Sequence, residues 1–150
     1  MHEYVYKFLR TLGLSDKEID AIEDFSNAIC YVSLEHAIGS IERLKSLGLS
    51  AEEIKDLLIH DKYFLCMPFE SIDNYNHIYK DILGLKQAEI KQLVLSYHGY
   101  SRYKLSDKVA YLEGCGYSND DIKELFMSSP EKLGLRLSEF KEYVSNIQPT

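Results

Sequence analysis

Apolar residues along this chain recur at spacings of three and four. Ile54, Leu57 and Leu58 form one such stripe. Ile90, Leu93, Val94 and Tyr97 form another, and Ile122, Leu125 and Phe126 a third. Stripes of the same period lie between them: Leu34, Ala37, Ile38, Ile41 and Leu44; Phe69, Ile72, Tyr79 and Ile82; Leu105, Val109 and Leu112. Residues at i, i+3, i+4 and i+7 share one face of an α-helix. No stretch alternates at period two for long enough to make a sheet. The pattern predicts nine helices, over residues 2–12, 15–26, 33–47, 50–61, 68–83, 86–97, 105–114, 118–128 and 138–147, and an all-α fold.

The helix breaks repeat. Leu12-Gly13-Leu14-Ser15-Asp16-Lys17-Glu18-Ile19 aligns with Leu47-Gly48-Leu49-Ser50-Ala51-Glu52-Glu53-Ile54 and with Leu83-Gly84-Leu85-Lys86-Gln87-Ala88-Glu89-Ile90. A fourth copy is Cys115-Gly116-Tyr117-Ser118-Asn119-Asp120-Asp121-Ile122. The isoleucines stand 35, 36 and 32 residues apart, a period suited to stacked helix pairs. Each Gly follows an apolar stretch, where a helix end needs a left-handed residue. Ser15 with Glu18, Ser50 with Glu53 and Ser118 with Asp121 have capping-box spacing, whereas Lys86 leaves the third copy weakly capped. Ser33, Ser106 and Ser138 are expected to open other helices, and Pro68 suits a first helical turn. The connector Lys62-Tyr63-Phe64-Leu65-Cys66-Met67 is apolar and is expected to pack as a short 3₁₀ turn.

These features predict one domain over 1–150: a right- or left-handed α-solenoid of about four helix-turn-helix repeats with 3₁₀-type connectors. The units are about 1–31, 32–67, 68–103 and 104–136, with a terminal helix in 137–150. That last helix, with Phe140, Val144 and Ile147, is either a cap or a surface for a partner or a second copy, so a monomer or weak homo-oligomer is expected.

The repeat resembles that of the mitochondrial transcription termination factor (mTERF) family. Leu47 through Leu58 is the nearest match to its Leu-Gly-x-Ser-x-x-Glu-Ile opening, and Ser129-Pro130-Glu131-Lys132-Leu133 looks like its proline segment. Asn27, Lys62 and His98 stand where other copies would carry that proline. The resemblance spans nearly the whole chain. It implies two helices and a 3₁₀ turn per repeat, and nucleic-acid binding on a basic concave face.

Composition bears on that expectation. The 150 residues carry 17 basic and 24 acidic side chains, a net charge of −7. Such a balance argues against a general nucleic-acid binder, which needs cations to displace counterions. The charge is uneven: −4 over 1–44, −3 over 45–85, +3 over 86–112 and −3 over 113–150. The basic stretch interleaves rings and cations: Lys86, Lys91, Tyr97, His98, Tyr100, Arg102, Tyr103, Lys104 and Lys108. Rings of this kind stack bases, and cations contact phosphates; the same residue types also make protein hot spots, or simply pack as a connector. The acidic helix starts, Asp16, Glu18, Asp20, Glu52, Glu53 and Asp56, either serve the helix dipole or form a ridge for a basic protein. The tyrosines are expected to pack at the core edge with their hydroxyls wet, the alternative being that Tyr75, Tyr79, Tyr97, Tyr100 and Tyr103 line one face.

No catalytic or metal pattern emerges. His2, His36, His60, His77 and His98 are scattered, and Cys30, Cys66 and Cys115 form no ligand spacing. Three widely spaced cysteines read as buried free thiols, and with no signal or transit pattern the expected place is the cytoplasm. No cofactor and no membrane contact are expected. The reading is a non-catalytic binding module, engaging a protein partner through its acidic surface, or else nucleic acid through 97–108.

Overall fold

The computed structural model describes residues 1–25, 29, 31–101 and 103–147, and among these every regular element is helical. The helices are α1 (Glu3–Thr11), α2 (Asp16–Phe25), α3 (Leu34–Ser46), α4 (Ala51–His60), α5 (Phe69–His77), α6 (Gln87–Leu95), α7 (Leu105–Gly114), α8 (Asn119–Ser128) and α9 (Leu137–Ile147). Each lies within a residue or two of its expected bounds except α5, which ends at His77. Short 3₁₀ turns occupy Phe64–Cys66 and Pro130–Gly134, and a π turn occupies Ile78–Ile82. The end of the second expected helix at residue 26, together with Asn27 and Cys30, falls outside the described residues.

The repeated Gly turn does what its sequence requires. Gly13, Gly48, Gly84 and Gly116 all have positive φ, from 71° to 93°. At Gly116 the N–H bonds to Glu113 O at 3.0 Å and the next N–H, of Tyr117, reaches Leu112 O at 3.0 Å. This paired closure satisfies carbonyls that a helix end leaves open. All three expected capping boxes form: Ser15, Ser50 and Ser118 accept from the N–H three residues on, and Glu18, Glu53 and Asp121 accept from the cap N–H. At Lys86 only the return bond is made, Lys86 N–H to Glu89 at 2.9 Å. Ser33 caps α3 as expected. Ser106 and Ser138 do not cap: the cap position of α7 lies two residues earlier, at Lys104. Likewise the N–H of Phe140 bonds to Arg136 O, which puts Ser138 inside the first turn of α9.

The chain forms two compact units, Met1–Ile72 and Asp73–Thr150. In the first, α1 packs on α2 and α3, and α2 on α4. Its core includes Val5, Leu9, Ile19, Ile22, Ala37, Ile41, Leu44, Ile54, Leu57 and Phe64. The tip of the Phe69 ring lies against Gly39, where a Cβ would come within 2.4 Å. His36 stacks on that ring at 4.5 Å and the Arg43 guanidinium sits 3.9 Å from its centroid. Lys62 replaces the family-like proline, yet the 3₁₀ turn forms. Asp61 supplies the order instead: its carbonyl accepts from Phe64 N–H at 3.1 Å, and its carboxylate from the N–H groups of Phe64 and Tyr63.

In the second unit α6 packs on α8, and α7 on α8 and α9. Helices two apart in sequence thus stack in each unit, the contact pattern of a helical repeat. The core holds Tyr79, Leu93, Val94, Leu112, Ile122, Phe126, Phe140 and Val144. The expected helix over 68–83 loses its α-period near its end. Leu83 N–H bonds to Ile78 O at 2.9 Å, five residues back. That extra residue in the turn advances the helical phase, so Leu83 is buried and Ile82, expected in the apolar stripe, stands 40% exposed.

Candidate functional site

The connector from α6 to α7, described over 96–101 and 103–104, is tied down by two tyrosines beneath it and one of its own. Tyr79 donates its hydroxyl to Gly99 O, and Tyr75 donates to Ser101 O. In return Tyr100 donates to Asn76 Oδ1 at 2.6 Å. The Tyr75 and Tyr100 rings stack at 6.3 Å. Burial, with the nearby Tyr100 and Tyr75, raises the Tyr79 hydroxyl well above the ordinary tyrosine value, so it remains a donor. Gly99 lies against the backbone of α6; a Cβ there would stand 2.8 Å from Leu93 C and O. Two non-glycine residues bracket the loop with positive φ, Tyr97 at 69° and Lys104 at 34°. Such backbone is costly for side-chain-bearing residues and persists only where surroundings fix it.

This arrangement redistributes the basic stretch. Tyr97, His98 and Tyr103 are half-buried and Lys104 is exposed, its ammonium 3.9 Å from Asp107. Arg102 lies outside the described residues. Lys86 is exposed but caps the far end of α6, about 13 Å along the helix from the loop; Lys91 is half-buried between them. Two candidates do not reach the surface at all. Tyr100 is 2% exposed, because it packs under its own loop. Lys108 is completely buried: its ammonium donates to Leu133 O at 2.6 Å and lies 5.6 Å from the Phe140 ring centroid. Desolvation lowers its pKa to about 8. The signal was in the spacing, since Leu105, Lys108, Val109 and Leu112 are i, i+3, i+4 and i+7 on α7.

The acidic helix starts are engaged locally. Asp16 takes two bonds from Arg10, at 2.7 and 3.1 Å, which hold its carboxyl below the usual range. Glu18 and Glu53 close capping boxes, and the Ser15 N–H keeps Glu18 low as well. Asp20 accepts from Tyr6 at 3.2 Å and Asp56 lies 3.2 Å from His60. Glu52 is exposed. Among the described residues no group of three His, Cys, Asp or Glu side chains could hold a metal. Cys66 and Cys115 are half-buried free thiols, and burial pushes Cys66 up. Among the described residues no helix is long and apolar enough to cross a membrane. Two cation–ring pairs were not anticipated from sequence: Lys132 over Tyr143 at 4.3 Å and Lys141 over Tyr111 at 5.2 Å. Each joins separate elements, so no local motif marks them.

The repeat, the Gly turn and the 3₁₀ connectors agree with a family match. The mTERF family model matches residues 2–148. The chain belongs to the mTERF family. Neither the curated proteins nor the solved structures yield a match to it. The mTERF fold is a helical-repeat solenoid. Within that mTERF frame, the proline segment is present at Pro130, where the 3₁₀ turn Pro130–Gly134 begins. The mTERF copy at Lys62 keeps its turn through Asp61, and the copy at His98 has the tyrosine-held loop in its place.

Proposed function

We propose that this protein is a non-catalytic binding module that contacts nucleic acid through the 97–104 loop. The observation that carries this reading is family membership over residues 2–148, since helical repeats of the mTERF family commonly bind nucleic acid. The loop supports it in physical terms. Its backbone at Gly99 and Ser101 is held by the Tyr79 and Tyr75 hydroxyls, which lowers the entropic cost of binding. It carries the half-buried Tyr97 and Tyr103 for stacking and the exposed Lys104 for a phosphate. The surrounding charge keeps the contact weak and salt-sensitive.

The test is fluorescence anisotropy of labelled duplex DNA, single-stranded DNA and RNA with the whole chain. A site with about two phosphate contacts loses about tenfold in affinity over a fourfold rise in salt. Lys104→Gln should lower the salt slope by about 1. Absence of binding to all three probes at about 20 mM salt, where backbone contacts are strongest, rules the reading out.

A second reading, an acidic contact with a basic protein, is favoured by the net charge of −6 on residues 1–72, 7 basic against 13 acidic. Asp20 and Glu52 are its cleanest probes, because neutralising Glu18 or Glu53 would also break a helix cap. A basic partner whose binding survives Asp20→Asn with Glu52→Gln removes it.

A further inference from the structure

The π turn has a consequence at the surface. It turns Ile82 away from the core and sets Ile78 and Ile82 opposite a second face of α7. That face is Ser106, Val109, Ala110 and Glu113, at i, i+3, i+4 and i+7. Ile78, Ile82, Val109 and Ala110 wall a slot of about 170 Å³, with Ser106 and Glu113 at the two ends of its α7 side. The rim is held in place, since the Asn119 side chain on α8 donates to Ile82 O at 3.1 Å. π turns interrupt α-helices rarely and are frequent at functional sites.

The slot is smaller than the range of about 300–1,000 Å³ typical of small-molecule sites; its size suits one aliphatic side chain. Its chemistry selects the neighbour of that side chain. Glu113 is exposed and has no ion-pair partner among the described residues. It stands one helical turn from Val109 and Ala110, about 5–6 Å along α7. A carboxylate there repels a nucleic-acid backbone and attracts a cation.

We infer that this slot is a docking socket for a protein partner that inserts one Leu, Ile or Met from an amphipathic helix and meets Glu113 with a Lys or Arg one turn away. The socket lies outside the 97–104 loop, so a partner here would be a second ligand class for the chain.

The probes are fluorescein-labelled helical peptides built on Ala and Gln, about 16 residues long to hold a helix. Each carries a single Leu, Ile or Met and a Lys four residues on. Anisotropy should show saturable binding to the whole chain. Replacing the aliphatic residue by Ala should weaken it at least tenfold, as for a central anchor. Ala110→Leu fills the slot with a good helix former at an exposed site, so it should fold normally and lose the peptide. Glu113→Lys should invert the preference, favouring peptides with Glu in place of Lys. Ile82→Ser, judged against its own thermal melt, provides a second way to open the rim. No peptide bound at about 1 mM, or equal binding to the wild-type and Ala110→Leu chains, overturns the proposal. A homodimer in sedimentation that Ala110→Leu dissolves also overturns it, because the occupant is then a second copy.

Discussion

The two units are built from the same repeat and use their polar groups differently. In Met1–Ile72 the Gly13 and Gly48 turns and the capping boxes after them follow the repeat, and Asp16, Glu18 and Glu53 bond to their own helix start or to the neighbouring helix. In Asp73–Thr150 the repeat is broken three times: by the π turn, by the tyrosine-held loop and by Lys108 in the core. Eight of the twelve tyrosines belong to this second unit. The hydroxyls of Tyr75, Tyr79 and Tyr100 bond between elements there, as that of Tyr6 does to Asp20 in the first unit. Regular repeats consume polarity locally, and a surface with something left to offer arises where the regularity fails.

The sharpest contrast lies in two buried ionisable groups of opposite sign. Lys108 in the second unit has a folded pKa of about 8, lowered from 10.5 by desolvation. Between those values the unfolded chain binds more protons, so stability rises with pH. The expected gain is about 1–3 kcal/mol between pH 7 and 9.5, read as the difference between wild type and Lys108→Met in denaturant titrations. A flat difference would mean that Lys108 is solvated. Of the same order is Gly99→Ala, which drives a Cβ into the backbone of α6. It should cost about 2–3 kcal/mol. The first-unit counterpart, Gly39→Ala, should cost less. Its clash is with the tip of the Phe69 ring, and Ala returns about 1 kcal/mol of helix propensity. Equal losses in thermal melts would contradict this ordering.

Asp61 gives the first unit the opposite pH response. Burial pushes its carboxyl up to about 6, against the lowering by its two backbone N–H bonds. The native state therefore takes up a proton before the unfolded chain does, and stability should grow as pH falls from about 6 to 4. The gain is about 1–2 kcal/mol and should vanish in Asp61→Asn. As pH falls past the ordinary values of 4.5 for Glu and 3.8 for Asp, the lowered carboxyls of Asp16, Glu18, Glu89 and Asp121 act the other way, losing stability as they protonate. The smallest effects test what the units share. Ser50→Ala and Ser118→Ala should each cost about 1 kcal/mol, because both complete a capping box. Lys86→Ser, which adds the bond missing in the third copy, should stabilise by about 0.5–1 kcal/mol. A loss there would show that the Lys86 side chain has a role its exposure does not reveal.

Most of the helix boundaries were legible because their causes are local. A Gly turn, a Ser three residues before a carboxylate and an apolar stripe each act within one or two turns of chain. Ile82 was misplaced because a π turn changes the phase without a marker residue. Ser106 and Ser138 looked like caps by composition, but Lys104 and Arg136 hold the starting positions. Of the candidate site, the loop's position was legible and its membership only in part. Tyr97, His98, Tyr103 and Lys104 remain on it. Tyr100 and Lys108 left the surface, and Lys86 stands at the far end of α6.

The sequence by itself determined the repeat, the all-α class and the mTERF family, since each rests on periodicity and helix-end chemistry that short segments carry. Only the tertiary structure decided which charged and aromatic side chains face water. Whether Lys108 finds a carbonyl, Tyr79 a loop or Ile82 an opening depends on groups 25, 20 and 24 or more residues away. No local pattern encodes those partners, because burial is a property of neighbours that the fold brings together.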